Sequence, residues 1–436
     1  MKAGYHIMYK NILPIGFLGM VDDIVGITEA GYKASEFNAM INVKTAEKTL
    51  LFGPSKCKYM IVGKCEDVAT QQNLLVDHWK IEHVENKVTG EHDLIESYNG
   101  KVEVDRTEEY KYLGFIISSK GNNMVNIKEV RKKSYGIIRK IFTKMTSLNL
   151  SEYYFECGII LMNSILRGSI LYASDMYYNL KETELRQIER MEEVFLRKLF
   201  KTSSGCPITS LYLEIGQTPA RFVIMKMRLL YLKYILEQPE SSNIRQMLQL
   251  QLKMPSSGDW ASTCVNNLKY LNINLTFREI QNISKKEYNT MLKRRINEVA
   301  LKYLLDKKGK KGSEINNMSL EMADYLLPFN NKMSIQEKCE LFAIRNRMIK
   351  IPSNFSSKCE EKCHCGEIEN MKHIYECRIF NKNENNVIPY EKVYNGNLRQ
   401  KIEVYKKFKE IWMKREKLKE LTSNPCDISP LYNSKG

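Results

Sequence analysis

The stretch Phe17-Leu18-Gly19-Met20-Val21-Asp22-Asp23-Ile24-Val25-Gly26-Ile27 sets two short apolar runs, 17–21 and 24–27, on either side of adjacent carboxylates. Apolar runs that stop at two acidic residues and resume at once predict a β-hairpin with Asp22 and Asp23 at its turn. Carboxylates held side by side on a rigid turn repel each other, and a bound divalent cation relieves that repulsion. In-line phosphoryl displacement between metal ions requires such a pair. Asp-Asp is also common in solvated turns, so the neighbouring sequence decides what the pair means.

Working outward, residues 29–50 carry Ala34, Phe37, Met40, Ile41, Ala46 and Leu50 at helical spacing. The turn Phe52-Gly53-Pro54-Ser55-Lys56-Cys57 leads into a strand over Tyr59–Val62. Further strand signals span Trp79–Val84, Asp93–Ser97 and Tyr112–Ser118, with a turn at Gly90. From Val125 onward strand signals fade. Long helical patterns cover Val125–Leu148, Ser151–Tyr178, Lys181–Phe200, Arg221–Leu236 and Lys285–Leu305. Lys307 to Gly312 reads as a flexible basic connection, and an amphipathic Lys-rich helix runs from about Asn397 to Leu421. The predicted fold class is α+β: β-hairpins and a helix, then a mostly α-helical body.

The chain has 436 residues, enough for several cores, and 67 Lys or Arg against 51 Asp or Glu give a formal charge of +16. That excess suits a polyanionic partner, either nucleic acid or an anionic membrane surface. The apolar stretches, such as Cys157 to Met162, are too short to span a bilayer, and no compact apolar leader with a cleavage site opens the sequence. A nuclear or cytoplasmic chain, neither secreted nor membrane-spanning, is expected. Four of the eleven cysteines, Cys359, Cys363, Cys365 and Cys377, lie close together, which favours metal binding in a reducing compartment over a disulfide framework.

Cys363, Cys365, His373 and Cys377 follow the spacing C-x-C-x7-H-x3-C. Three thiolates and one imidazole suit tetrahedral Zn²⁺, and four ligands leave no open position, so the expected role is structural. Gly366 permits the tight turn, and a short helix would present His373 and Cys377 on one face. The first two cysteines are closer than usual, which leaves Cys359 and His364 as substitute ligands. Arg131, Lys132, Lys133, Arg139, Lys140 and Lys144 share one predicted helix with Tyr135, Ile137, Ile138 and Phe142. The basic positions are expected to face a nucleic-acid backbone while the apolar ones pack inward. Arg345, Arg347 and Lys350 precede the cysteine cluster and extend the expected surface there.

The hairpin, the following helix, the Lys56 turn and the segment Tyr110-Lys111-Tyr112-Leu113-Gly114-Phe115-Ile116 occur in one order. That order resembles the later palm motifs of non-LTR retrotransposon reverse transcriptases. The resemblance makes Asp22 and Asp23 catalytic ligands of Mg²⁺, places Lys56 near the incoming triphosphate, and likens Tyr112, Leu113 and Gly114 to the primer grip. It continues through Leu171-Tyr172-Ala173, Leu211 to Gly216, Leu341-Phe342 and the Cys-Cys-His-Cys knuckle. It implies a partial palm over 1–120, a helical thumb-like domain over 121–240 and a helical linker region over 241–350. The zinc knuckle would cover 351–385 and a C-terminal helical tail 386–436.

Under that resemblance the partners are an RNA template and a DNA primer or target, together with the upstream polymerase segment. Met20 stands where the family usually has Phe or Tyr. The family's third catalytic aspartate and its fingers precede the acidic hairpin, so the chain alone is expected to be inactive in DNA synthesis, with poor Mg²⁺ binding. The alternative reading is a non-enzymatic, zinc-containing nucleic-acid-binding protein derived from a decayed or host-retained element. A third is a zinc-stabilised helical adaptor for proteins.

Overall fold

The computed structural model describes residues 5–6, 14–15, 17–20, 23–26, 57–61, 74–85, 92–253, 258–308, 320–328, 333–349, 362–363, 365–380 and 388–422. Among these residues the strands lie towards the N-terminus and helices predominate, compatible with the α+β class. β1 (Tyr5–His6) pairs antiparallel with β2 (Pro14–Ile15). β3 (Phe17–Met20) pairs antiparallel with β4 (Asp23–Gly26), with Met20 opposite Asp23. The two apolar runs around the acidic pair therefore form a hairpin backbone.

β5 (Lys58–Tyr59) runs parallel to the end of β7 (His92–Arg106), which pairs antiparallel with β6 (Leu74–Glu85). β6 and β7 extend well beyond the predicted Trp79–Val84 and Asp93–Ser97, because ladder pairing carries polar residues that lack strand character alone. The register shifts between Asp77 and Trp79, as a bulge does. The predicted strand over Tyr112–Ser118 is instead the end of β8 (Glu109–Tyr112), a turn, and β9 (Phe115–Ser118). Leu113 and Gly114 both have positive φ, 48° and 84°. That pattern marks the two-residue hairpin turn whose twist matches the flanking strands.

The helices are α1 (Asn123–Ser147), α2 (Tyr154–Leu161), α3 (Arg167–Ile170), α4 (Glu182–Leu199), α5 (Ile208–Glu214) and α6 (Ala220–Glu237). They continue with α7 (Asn243–Lys253), α8 (Trp260–Tyr270), α9 (Phe277–Asn282), α10 (Lys285–Lys308) and α11 (Ile335–Arg345). The last are α12 (Met371–Glu376), α13 (Lys392–Asn395) and α14 (Leu398–Thr422). The single helix predicted over 151–178 is broken. A π-helical turn at Met162–Leu166 separates α2 from α3, and Ala173 enters the left-handed region with φ 53°. Local caps explain several starts: Thr276 with Glu279 and Ser334 with Glu337 form reciprocal capping boxes at α9 and α11.

The chain divides into two compact units, and all but one of their boundaries fall inside helices. One comprises Met1–Lys133, Leu171–Ile188 and Ile224–Asn289; the other comprises Ser134–Ile170, Glu189–Val223 and Thr290–Gly436. In the first, buried Asn126 accepts from the Ile116 N–H at 3.1 Å and donates to the Tyr177 hydroxyl at 2.5 Å. The Phe115 and Tyr177 rings meet at 5.4 Å, so the β8–β9 hairpin is fixed to the first turn of α1. In the second, an aromatic series runs from Phe155 to Phe200 at 5.1 Å and on to Phe342 at 4.3 Å. Glu192 there is fully buried and accepts from Arg167, the Tyr212 hydroxyl and the Ala220 N–H at 2.6, 2.6 and 3.0 Å. Among the described residues no helix is long and apolar enough to cross a membrane.

Candidate metal centre and nucleic-acid interface

The metal centre starts from a tight turn. Lys362 and Ile368 form an antiparallel bridge, the Cys363 N–H donates to Glu367 at 2.8 Å, and Gly366 closes the turn with φ 93°. A side chain with a Cβ would strain that backbone, which is why glycine suits the position. Asn370 then caps α12 by accepting the His373 N–H at 2.9 Å. His373 sits within this helix and Cys377 is its C-terminal cap residue in extended conformation, so the pair straddles the helix end rather than sharing one helical face.

The ligand atoms of Cys363, Cys365, His373 and Cys377 all lie within 4.8 Å of one another. Cys363 Sγ is 3.6 Å from Cys377 Sγ, and Cys365 Sγ is 3.2 Å from His373 Nε2. The four residues can hold a metal ion such as zinc. Cys359 and His364, the substitute ligands, lie outside the described residues. Burial pushes the Cys363 thiol up, whereas the Glu367 backbone N–H holds Cys365 below the ordinary thiol value. A bound cation would take the place of the proton on Cys363, the thiol whose charged form burial disfavours.

The turn and α12 are held from behind by α14. Glu369 is buried and forms a two-pronged ion pair with Arg415, itself buried on α14. The Tyr375 hydroxyl donates to Ile388 at 2.8 Å, and its ring meets Tyr390 at 5.6 Å. Sequence reasoning missed Glu369 and Arg415, because no local pattern links residues on separate segments.

Among the expected nucleic-acid residues, the hairpin turn holds together. Leu113 and Gly114 are exposed at its tip and Tyr112 is half-buried. The Tyr172 hydroxyl donates to the Leu113 carbonyl at 2.8 Å, buttressing a bulky residue in a conformation it rarely adopts. Tyr172→Phe is expected to cost about 1 kcal/mol locally, one net hydrogen bond, visible as faster amide exchange in β8 and β9. Unchanged exchange would remove Tyr172 as the buttress.

No family model matches this chain, nor does any curated protein or solved structure.

On α1 the expected Ile138 and Phe142 are buried together with Ile141 and Met145, but Tyr135, expected to pack inward, is exposed and Ile137 is half-buried; Lys132, Lys133, Arg139, Lys140 and Lys144 are exposed. Lys133 pairs with Glu129 at 3.2 Å, and half-buried Arg131 donates to Gln187 at 2.6 Å. Arg345 corrects the expected surface. It is buried, its Nε donates to Glu214 Oε1 at 2.8 Å, and its guanidinium also reaches the Val393 carbonyl. A guanidinium consumed in this way does not face a phosphate. Arg347 is half-buried with φ 54°, just past the end of α11. Lys350, Asp22 and Lys56 lie outside the described residues, and of Asp23 only the backbone pairing in β4 is described.

Proposed function

We propose that the chain binds nucleic acid as the C-terminal part of an RNA-directed DNA polymerase of the non-LTR retrotransposon kind. Template RNA and a DNA primer or target are its partners. The observation that supports this most is α1, whose seven Lys or Arg and single Glu surround a buried apolar stripe, directly after the Leu113-Gly114 hairpin. A helix that packs one face and offers cations on the other fits a phosphate backbone. The Cys363, Cys365, His373 and Cys377 site takes zinc in this reading, since soft thiolates with imidazole select it and four ligands make it structural. Asp22 and Asp23 are the residues that would take Mg²⁺, with Lys56 near the triphosphate.

The test is titration of a labelled RNA–DNA duplex at several salt concentrations. Wild type is expected to bind with a steep salt dependence. Lys132→Ala, Lys133→Ala and Lys140→Ala together should weaken binding and flatten the slope by roughly 0.7 to 0.9 for each lost contact. An unchanged slope would remove α1 from the interface. No binding even at low salt would favour a protein-binding adaptor instead.

A further inference from the structure

Glycine inside a helix is disfavoured relative to alanine, so a mid-helix glycine asks for a reason. Gly158 in α2 has one: a Cβ there would lie 2.5 Å from Leu199 Cδ1. Gly136 in α1 has none among the described residues. An added Cβ would meet nothing within 4 Å, the residue is exposed, and its φ is not positive. Its surroundings on the helix are nevertheless distinctive. Residues three and four positions away are its neighbours on a helix surface. At Gly136 these are Lys133 and Arg139, Lys132 and Lys140, and every one is exposed.

From this we infer that Gly136 is a docking notch, where the sugar-phosphate backbone of a nucleic acid makes its nearest approach to α1 between four cations. This rests on the nucleic-acid-binding reading above and deepens it. Without a Cβ the helix surface is recessed, so a phosphate can sit within reach of cations from the turns before and after. The sole acidic residue of α1, Glu129, pairs with Lys133 and leaves the other three cations without a carboxylate on their own helix. An anionic membrane fits less well. Helices that lie in a bilayer surface bury a broad apolar face there, whereas Ile138, Ile141, Phe142 and Met145 are already buried in the protein.

Gly168 in α3 supplies a control. It is exposed and also has open space around a would-be Cβ, but its neighbour Arg167 is buried against Glu192. The experiment measures affinity for an RNA–DNA duplex at several salt concentrations, with thermal melting, for the full chain and its Gly136→Leu, Gly136→Ala and Gly168→Leu variants. Gly136→Leu is expected to bind about tenfold more weakly, a loss the size of one charge-assisted contact. Its salt slope should fall by roughly 0.9 for each displaced cation, with melting unchanged or raised. Gly168→Leu should bind as wild type does. If Gly136→Leu melts lower, Gly136→Ala decides: stable and weaker supports the notch, stable and unchanged overturns it. Wild-type affinity in Gly136→Leu, alongside weakened Lys132→Ala and Lys140→Ala, would overturn the notch and keep the nucleic-acid reading. A wild type that ignores the duplex, or takes only anionic vesicles, overturns both.

Discussion

Replacing Cys365 by Ser should drop the zinc content of the purified chain from about one ion to near none, the outcome of removing one ligand from a four-ligand tetrahedral site. Cys365 is the useful position because it is exposed, so a serine there disturbs no packing. Structural zinc supplies roughly 10 kcal/mol or more of apparent binding free energy in small zinc-bound units, and losing it should open residues 362–380 to protease. The pH dependence has a definite sign. Burial raises the Cys363 thiol above its ordinary value, so protons compete with the metal through the neutral range and uptake releases them. Zinc affinity should therefore rise with pH, and a dye in weak buffer should report acid release on loading. Full zinc in Cys365→Ser with loss in Cys359→Ser would reassign the ligand set. Full zinc in both would remove the site.

That site was legible because its ligands are close in sequence: a turn and a six-residue helix bring 363, 365, 373 and 377 together, while the support that α14 gives them through Arg415 and Glu369 was not. The helix α1 was legible in part, since apolar spacing placed Ile138 and Phe142 inward as observed, whereas Tyr135 is exposed and Ile137 half-buried, and Ile141 and Met145 complete the buried stripe. The hairpin β3–β4 followed from two apolar runs broken by acids. What failed depended on long separations or on unusual backbone. Nothing near Tyr172 says that its hydroxyl will meet Leu113, 59 residues away. Leucine gives no warning that it will take a left-handed turn, so the apolar pattern alone runs Tyr112–Ser118 as one strand, and only the likeness of Tyr112, Leu113 and Gly114 to a primer-grip hairpin set a tight glycine turn there. Arg345, followed by Arg347 and Lys350, looks like part of a basic surface. Its partner Glu214 lies 131 residues earlier, and only the folded chain brings them together.

Arg345→Ala should accordingly act on stability, with little direct effect on nucleic-acid affinity. Glu214 is fully buried, accepting from Arg345 at 2.8 Å and from the Tyr325 hydroxyl at 2.9 Å. Removing the guanidinium leaves a carboxylate out of water with only neutral donors. Breaking one side of such a pair costs about 3–5 kcal/mol, because the abandoned charge keeps its desolvation penalty. The Val393 carbonyl loses its Arg345 donor at the same time, so the segment around α13 should loosen with it. The check is chemical denaturation of wild type, Arg345→Ala and the double variant Glu214→Gln with Arg345→Met. The single variant should lose most stability and the double variant should recover much of it, since neither buried charge remains. In salt titrations under conditions where Arg345→Ala stays folded, its slope should match wild type. A flattened slope with unchanged stability would mean that Arg345 leaves Glu214 to meet phosphate, and would return it to the binding surface.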